Sequence, residues 1–247
     1  MNKRRFTAGR PAIAFASATL LFFFTILSLS RLGSYITAPF EPVTAAPVDL
    51  PIVILDAGHG GEDCGAVGVN GVLEKDLNLQ IALLLEKILN ANGIRTVMTR
   101  SEDVLLYDKN SDYKGQKKIQ DLATRRKIAE EYENAVFVSI HMNAFPQTQY
   151  SGLQVYYSAN HPNSQALAEE IQSVTKQLLQ PRNERKIKSG GENIYLLERL
   201  SCPAVLIECG FLSNSEECEK LSDPSYQEEL ALTIGVAICR NLSLFGT

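Results

Sequence analysis

The sequence predicts an α/β domain built on a largely parallel sheet that is covered by helices on both faces. From Pro51 onward, short apolar runs alternate with longer segments whose apolar residues recur at helical spacing. Such alternation is typical of units in which a helix crosses over the sheet between two parallel strands. The chain has 247 residues, of which 45% are hydrophobic. It is therefore long and apolar enough for one domain with a substantial core.

The first half of this domain begins with a β-branched strand at residues 52–55. Residues 75–92 place leucine and isoleucine at helical spacing, and Gly93 follows where a glycine commonly ends a helix. Residues 94–99 read as the next strand. Residues 107–120 are polar, so we expect a surface insertion there.

The second half repeats the pattern of buried strand and amphipathic helix. Strands are expected where short β-branched or apolar runs stand between turn residues, and helices where apolar residues recur every three to four positions. The strands cover residues 135–140, 152–158 and 204–208, and the helices cover residues 121–132, 164–179 and 225–242.

An N-terminal region of different character precedes the domain. Residues 11–30 contain no charged residue and, as a helix, would be about 30 Å long, which is enough to cross a bilayer core. Basic residues before such a segment stay on the cytoplasmic side. We therefore expect residues 1–31 to be a basic stub with a signal anchor or a cleaved signal peptide, and residues 32–50 to be a linker. Residues 51–247 would form an extracytoplasmic domain.

The charge of the chain is unevenly distributed. Residues 1–31 hold five basic residues and no acidic one, which leaves 19 basic against 28 acidic residues in the rest of the chain. Proteins that bind nucleic acid present basic surfaces. The acidic body therefore argues against a nucleic-acid partner.

The stretch LDAGHGGEDCGAVG, at residues 55–68, is a glycine-rich loop that follows the first strand. A dinucleotide-binding loop requires G-x-G-x-x-G, but Asp63 stands where the third glycine belongs, and the Gly-Lys-Ser/Thr of a P-loop is absent. A nucleotide site is therefore disfavoured. His59 offers another interpretation, a metal site at the edge where α/β sheets place their ligands.

Two of the three histidines in the chain lie at the ends of predicted strands, one of them four residues past Leu55 and the other directly after residues 135–140. They are His59 and His141, whereas we interpret His161 as a loop or helix-cap residue. Catalytic zinc is held by imidazole nitrogens with a carboxylate oxygen and keeps one position open. Glu74 and Asp76 both lie near the start of the following helix, and spacing does not choose between them. Either acid could instead simply favour the first helical turn electrostatically.

Glu208 is a further candidate, because it ends the apolar run PAVLIE. A buried carboxylate is costly unless it is paired or bound to metal. Glu208 is thus either a capping or salt-bridged loop residue or a general base beside the metal. Asn143 and Arg125 could support the site residues from behind or contact substrate, but a loop hydrogen bond and a solvated helix face are at least equally good interpretations. The five cysteines form no CxxC pair, which disfavours a cysteine zinc site.

Six segments, taken together and in order, resemble the zinc-dependent N-acetylmuramoyl-L-alanine amidases of the amidase-3 family. They span residues 51–220, and the ordered set is far more specific than any one member. The resemblance implies a mixed, mostly parallel twisted sheet with helices on both faces. The segments are LDAGHGGEDCGAVG, GVLEKDLNL, TRSED, DLATRRKIAE, SIHMNA and PAVLIECGFLSNSEE.

The resemblance also implies roles for individual residues. His59, Glu74 and His141 match the zinc ligands of the family, and Glu208 matches its catalytic glutamate. This correspondence chooses Glu74 over Asp76. The implied reaction is hydrolysis of the amide between N-acetylmuramic acid and L-alanine in peptidoglycan, with Zn²⁺ as cofactor.

A short catalytic domain behind an N-terminal anchor is similar to the CwlD-type amidases of endospore formers. That similarity implies a role in processing the spore cortex toward muramic δ-lactam, in the intermembrane space of the forespore. A general vegetative autolysin, a zinc peptidase that cuts within the stem peptide and a non-catalytic peptidoglycan-binding protein are the alternatives. The sequence leaves open whether a protein activator is required.

Overall fold

The computed structural model describes residues 50–110 and 115–243. The expected basic stub and membrane segment at residues 1–31, and all but the last residue of the expected linker, lie outside these ranges. No helix within the described residues is both long and apolar enough to cross a membrane.

A single six-stranded sheet forms the centre of the described domain. Its strands lie in the order β2-β1-β3-β6-β4-β5. Strand β1 pairs in parallel with β2 and β3, β3 pairs in parallel with β6, and β4 pairs in parallel with β5, whereas β4 and β6 are antiparallel. The sheet is therefore mixed and mostly parallel, as expected. The strands are β1 (Ile52–Ala57), β2 (Thr96–Met98), β3 (Ala135–Asn143), β4 (Gln154–Tyr157), β5 (Lys188–Ser189) and β6 (Ala204–Phe211).

Six α-helices and one short 3₁₀ turn, at Gly191–Asn193, accompany the sheet in the described residues. The four long helices were predicted, but β5 and two short helices were not, because such short segments carry no readable periodicity. The helices are α1 (Glu74–Ala91), α2 (Lys117–Glu130), α3 (Pro162–Leu178), α4 (Tyr195–Arg199), α5 (Ser215–Ser222) and α6 (Pro224–Ser243).

Three boundaries differ from the prediction in ways that matter for the site. Helix α2 begins at Lys117, so the last part of the expected insertion at residues 107–120 is helical. Its first turn is polar because Lys117 and Lys118 pair with carboxylates of the glycine-rich loop. Strands β3 and β6 each run three residues further than predicted. Backbone pairing continues beyond the polar residues His141 and Glu208 at which the apolar runs end.

The two faces of the sheet carry two cores. Alternate residues of the strands point to opposite faces. One face presents a large apolar set, including Val138 of β3 and Ile207 of β6, to helices α1, α3 and α6. The other face presents a smaller set, including Phe137 and Leu206, to helices α2 and α4. Helices therefore cover both faces.

The smaller core gives way to polar residues at the carboxyl ends of the parallel strands. His141 of β3 is the register partner of Glu208 of β6, which is in turn the partner of Gln154 of β4. Residues directly opposite each other on paired strands project to the same face. The side chains of these three residues thus form a row across three strands, at the edge where the sequence predicts a site.

Candidate metal centre

Three of the four predicted site residues offer ligand atoms to a common point. The ligand atoms of His59, Glu74 and His141 all lie within 4.8 Å of one another. One oxygen of Glu74, Oε1, is 3.2 Å from Nε2 of His59 and 3.0 Å from Nδ1 of His141. Among the described residues, Asp76 belongs to no such cluster. The alternative that spacing had left open therefore lacks geometric support.

His59 is presented by the loop that follows β1. Its backbone is left-handed, with φ of 62°, which is rare for a residue other than glycine and is often found at functional sites. The two imidazole rings meet edge to face with centroids 5.0 Å apart. Asp63 places its Oδ2 atom 2.9 Å from Nδ1 of His59. A carboxylate behind a histidine in this way fixes the orientation of the ring.

Gly58 is required by close approach rather than by a special backbone angle. Its amide donates to the carbonyl oxygen of Ile140 at 3.1 Å, which continues the pairing of β1 with β3. A Cβ atom at this position would overlap the imidazole ring of His141. Only glycine leaves room for the ring beside the loop.

Glu74 is the first residue of α1, and its carboxylate is buried. Its Oε2 atom accepts from the amide of Ala66 at 2.8 Å, and its Oε1 atom accepts from the amide of Met142 at 3.1 Å. Burial disfavours the charged form, but hydrogen bonds from His141 and His59 outweigh it and hold the pKa of Glu74 well below its usual range. The carboxylate is therefore ionised and fixed in place.

Glu208 stands beside this cluster without a partner. Its side chain is half-buried, and its Oε2 atom is shielded from solvent with no hydrogen-bond partner among the described residues. Burial raises the pKa of Glu208 to about 7, although the nearby His141 lowers it in part. The structure gives no support to a capping or salt-bridged role. A carboxyl group with a pKa near neutrality suits proton transfer.

A solvated helix face was one of the interpretations left open for Arg125, and that one is wrong. Its side chain is 1% exposed. It donates to Oδ1 of Asp56 at 2.6 Å, to Oδ2 of Asp121 at 2.7 Å and to the carbonyl oxygen of His59 at 2.7 Å. Arg125 therefore joins the loop that carries His59 to Asp56 and to helix α2.

Sequence reasoning missed the partner of this arginine, Asp56, whose carboxylate also accepts from Thr99 at 2.7 Å. Burial opposes its ionisation, yet Arg125 and hydrogen bonds from Ser139 and Thr99 keep the pKa of Asp56 lowered. A signal was present: an aspartate inside the apolar run IVILDA, with Asp121 and Arg125 four residues apart further along the chain.

Other candidates have plainer roles. His161 caps α3, since its Nδ1 atom accepts from the amide of Asn163 at 3.2 Å, as predicted. Asn143 is the last residue of β3, and its carbonyl oxygen accepts from the amide of Leu212 at 2.8 Å. All five cysteines are free thiols. Cys64 donates to the carbonyl oxygen of Gly65 at 3.3 Å.

A desolvated cluster of titratable side chains at the carboxyl edge of a mixed α/β sheet is the arrangement of an α/β enzyme. The chain belongs to the Amidase_3 family, N-acetylmuramoyl-L-alanine amidase, whose model matches residues 53–240. It is therefore an amidase that acts on peptidoglycan, and the alternative of a non-catalytic binding protein falls away.

Individual relatives agree with this assignment. The chain is 35% identical over 194 residues to the germination-specific N-acetylmuramoyl-L-alanine amidase of Bacillus subtilis, covering 78% of this chain and 81% of the relative. It is similar to the CwlD amidase of Clostridioides difficile, solved in complex with the GerS lipoprotein (TM-score 0.74, 40% identity, 78% of this chain and 99% of that chain). It is also similar to the amidase AmiC2 of Nostoc punctiforme (TM-score 0.67, 31% identity, 78% and 97% of the two chains).

Proposed function

We propose that this amidase depends on zinc held by His59, Glu74 and His141, with Glu208 as the group that moves the proton. The observation that carries the proposal is the shared oxygen of Glu74, which lies 3.0–3.2 Å from a nitrogen of each histidine. Tetrahedral zinc with ligands about 2.1 Å away separates those ligands by roughly 3.4 Å. Two imidazoles and one carboxylate also match a catalytic zinc site with one open position.

The reaction is hydrolysis of the amide that joins the lactyl carbonyl carbon of N-acetylmuramic acid to the nitrogen of L-alanine. Zinc, when bound, supplies Lewis-acid chemistry that acidifies water and polarises a carbonyl group. Glu208 accepts the proton of the attacking water as the new carbon–oxygen bond forms. It then donates that proton to the alanine nitrogen as the carbon–nitrogen bond breaks. Glu208 is the register partner of the candidate ligand His141, which places its carboxylate beside the metal centre for both transfers.

The ligand assignment is tested by elemental analysis of purified variants. His59→Ala and His141→Ala should lose stoichiometric zinc because each removes one of three donors. Asp76→Asn is the matched control, since Asp76 lies on the same first helical turn as Glu74 but outside the cluster. Full zinc content in both histidine variants would contradict the assignment.

The role of Glu208 is tested by Glu208→Gln, which keeps the shape of the side chain but removes the base. The variant should retain zinc and lose turnover by roughly 10²–10⁴-fold. Mass spectrometry of digested peptidoglycan supplies the readout, because amidase action releases peptides that begin with L-alanine and leaves lactyl carboxylates. Shortened stem peptides would instead indicate a peptidase, and unreduced turnover in the variant would remove Glu208 from the mechanism.

We further propose that this amidase processes the spore cortex toward muramic δ-lactam. The similarity to a germination-specific amidase and to CwlD supports this role. Muropeptide analysis of spores that lack the protein should show loss of muramic lactam. Unchanged lactam together with an altered vegetative wall would favour a general autolysin, and would leave the amidase activity untouched.

The location of the enzyme follows from the same proposal. Residues 1–31 would hold it at a membrane as an anchor, with the catalytic domain in the intermembrane space of the forespore. Fractionation of sporulating cells with an antibody against the catalytic domain tests this, and a soluble product shortened at its N-terminus would indicate cleavage instead. Since the CwlD relative was solved with a lipoprotein, a lipoprotein is the protein partner to seek by affinity capture.

A further inference from the structure

Arg185 ends the row of side chains that contains the candidate base. The row runs from His141 through Glu208 to Gln154 across three neighbouring strands. Arg185 donates from Nη1 to the Oε1 atom of Gln154 at 3.1 Å, and from Nε to the carbonyl oxygen of Ser151 at 2.7 Å. Since neighbouring strands lie about 4.8 Å apart, this guanidinium stands on the β4 side of the metal centre.

Two aromatic rings hold the guanidinium in position. Its Cζ atom is 4.3 Å from the ring centroid of Phe211 and 5.7 Å from that of Tyr150. Phe211 reaches this place through a β-bulge: β6 has an additional residue after Glu208, so Asn143 pairs with Phe211. Bulges beside active sites commonly re-aim a side chain in this way. The stacked guanidinium is half-buried and has little freedom to move.

The positive charge of Arg185 is not neutralised locally. Within the described part of the chain, no carboxylate forms an ion pair with it, and its two hydrogen-bond partners are neutral. Glu217 acts on it electrostatically, but the Glu217 carboxylate already accepts from the amides of Gly152 and Phe211, each at 2.8 Å. Arg125, by contrast, is fully paired with aspartates.

Tyr156 is a further side chain of β4 beside this row. It lies two residues beyond Gln154 on β4 and so projects to the same face. Burial and the Glu208 carboxylate raise its pKa, whereas Arg185 lowers it. Glu208 and Arg185 therefore both act electrostatically on Tyr156.

We propose that Arg185 is a specificity-determining residue that binds a carboxylate of the peptidoglycan substrate while the scissile amide lies at the metal centre. The inference rests on the proposed function. A planar guanidinium that is fixed in place, with an edge that has no hydrogen-bond partner among the residues the structure describes, is suited to carboxylate recognition. The carboxylate belongs to the stem peptide beyond L-alanine, because the lactyl carbon is still an amide carbonyl while the scissile bond is intact.

The test compares Arg185→Gln and Arg185→Lys with the wild-type enzyme on matched substrates. These are N-acetylmuramyl-L-alanyl-D-glutamic acid and its forms amidated at the α- or γ-carboxyl. The wild-type enzyme should prefer one free carboxyl through a lower KM. Arg185→Gln should reduce that preference in kcat/KM by roughly 10- to 100-fold, mainly through KM. The preference of Arg185→Lys should lie between those of the wild-type enzyme and Arg185→Gln, because lysine keeps the charge but lacks the planar guanidinium.

Arg199→Gln is the matched control. Its guanidinium also stacks on a ring, with Cζ 5.6 Å from the centroid of Tyr195, but it pairs with Glu198 at 3.3 Å and lies on α4. This variant should keep the wild-type preference. An equal preference in Arg185→Gln and the wild-type enzyme would overturn the proposal. The proposal would also be overturned if the wild-type enzyme hydrolysed the free and the amidated substrates with equal kcat/KM.

Calorimetry provides a readout that does not depend on turnover. Zinc-loaded wild-type enzyme should bind L-alanyl-D-glutamate more tightly than zinc-loaded Arg185→Gln does. N-acetylmuramic acid, which carries no stem peptide, should bind both proteins equally. Equal binding of the dipeptide by both proteins, or no binding of the dipeptide to the wild-type enzyme, overturns the proposal. Failure of the proposed function would appear separately, as undiminished turnover in Glu208→Gln.

Discussion

At the residue scale, the candidate centre depends on one carboxylate and on the space around one imidazole ring. Glu74 uses both oxygens: Oε2 takes the amide of Ala66, and Oε1 lies between His59 and His141. Gly58 leaves room for the His141 ring. Such surroundings orient a ligand set before the metal arrives, and disturbing them weakens metal binding.

We expect Gly58→Ala to reduce zinc affinity by about 10- to 100-fold, because the added methyl group must displace the His141 ring. Competition with a zinc-binding dye measures the affinity. Gly71→Ala is the control: Gly71 has a positive φ, of 89°, but a Cβ there meets no heavy atom within 4 Å. It should lose some stability and keep its zinc affinity. Equal zinc affinities in Gly58→Ala and the wild-type protein would refute the steric role of Gly58.

The raised pKa of Glu208 predicts a pH-dependent stability difference in the zinc-free protein. The folded state holds the Glu208 proton up to a pKa of about 7, against a reference value of 4.5. The folded state therefore binds more protons in this window, and stability falls as pH rises through it. Glu208→Gln removes this pH-dependent loss. The free energy of unfolding of the variant, relative to that of the wild-type protein, should therefore rise by roughly 1–3 kcal/mol between pH 4.5 and 8. Urea unfolding at several pH values measures this, and a constant difference would count against the shift.

At the element scale, helix α2 stabilises the site through a buried ion pair rather than through an apolar face. Arg125, one of two adjacent arginines on this helix, pairs with Asp56 on β1 and with Asp121 one turn earlier, and it donates to the His59 carbonyl oxygen. Buried ion pairs are strongly destabilising when one partner is removed, because the other charge is left uncompensated. The helix and the loop therefore depend on each other.

We expect Arg125→Ala to lower the free energy of unfolding by about 3–5 kcal/mol, since Asp56 would remain buried without its partner. The neighbouring Arg126→Ala is the matched control. Arg126 is more than one-third exposed and pairs with Glu130 at 3.3 Å, one turn later on the same helix. Surface pairs of this kind contribute at most about 1 kcal/mol. Urea denaturation of both variants gives the comparison, and similar losses would contradict the role assigned to the buried pair.

At the scale of the whole molecule, the site lies where the smaller core ends. Helices α2 and α4 cover the apolar part of that sheet face, and the polar row begins at the carboxyl ends of the strands. The three candidate ligands come from the loop after β1, the start of α1 and strand β3. Metal binding would therefore join parts of the chain that are distant in sequence, and would couple to the stability of the fold.

Zinc should raise the thermal midpoint of the wild-type protein, and a chelator should lower it. At a free zinc concentration 100-fold above its dissociation constant, zinc binding stabilises the folded state by about 2.7 kcal/mol. His141→Ala should unfold at a midpoint that hardly responds to either treatment. Differential scanning calorimetry with and without zinc measures these midpoints, and a zinc response in His141→Ala equal to that of the wild-type protein would exclude this residue as a ligand.

The sequence by itself determined the α/β class, the four long helices and the positions of His59, His141 and Glu208 at the edge of the sheet. These features are local, because hydrophobic periodicity and the polar residue that interrupts it can be read within a few positions. Spacing left Glu74 and Asp76 as alternatives, and only the resemblance chose between them. The short elements β5, α4 and α5 carried no periodic signal.

The tertiary structure alone decided the antiparallel pairing of β4, the burial of Arg125 against Asp56 and the place of Arg185 beside the polar row. Each depends on contacts between segments that are far apart in the chain. A charged residue on a polar helix looks the same in sequence whether it faces water or a buried partner. Strand order and packing decide whether such a residue is exposed or buried, and local patterns specify neither.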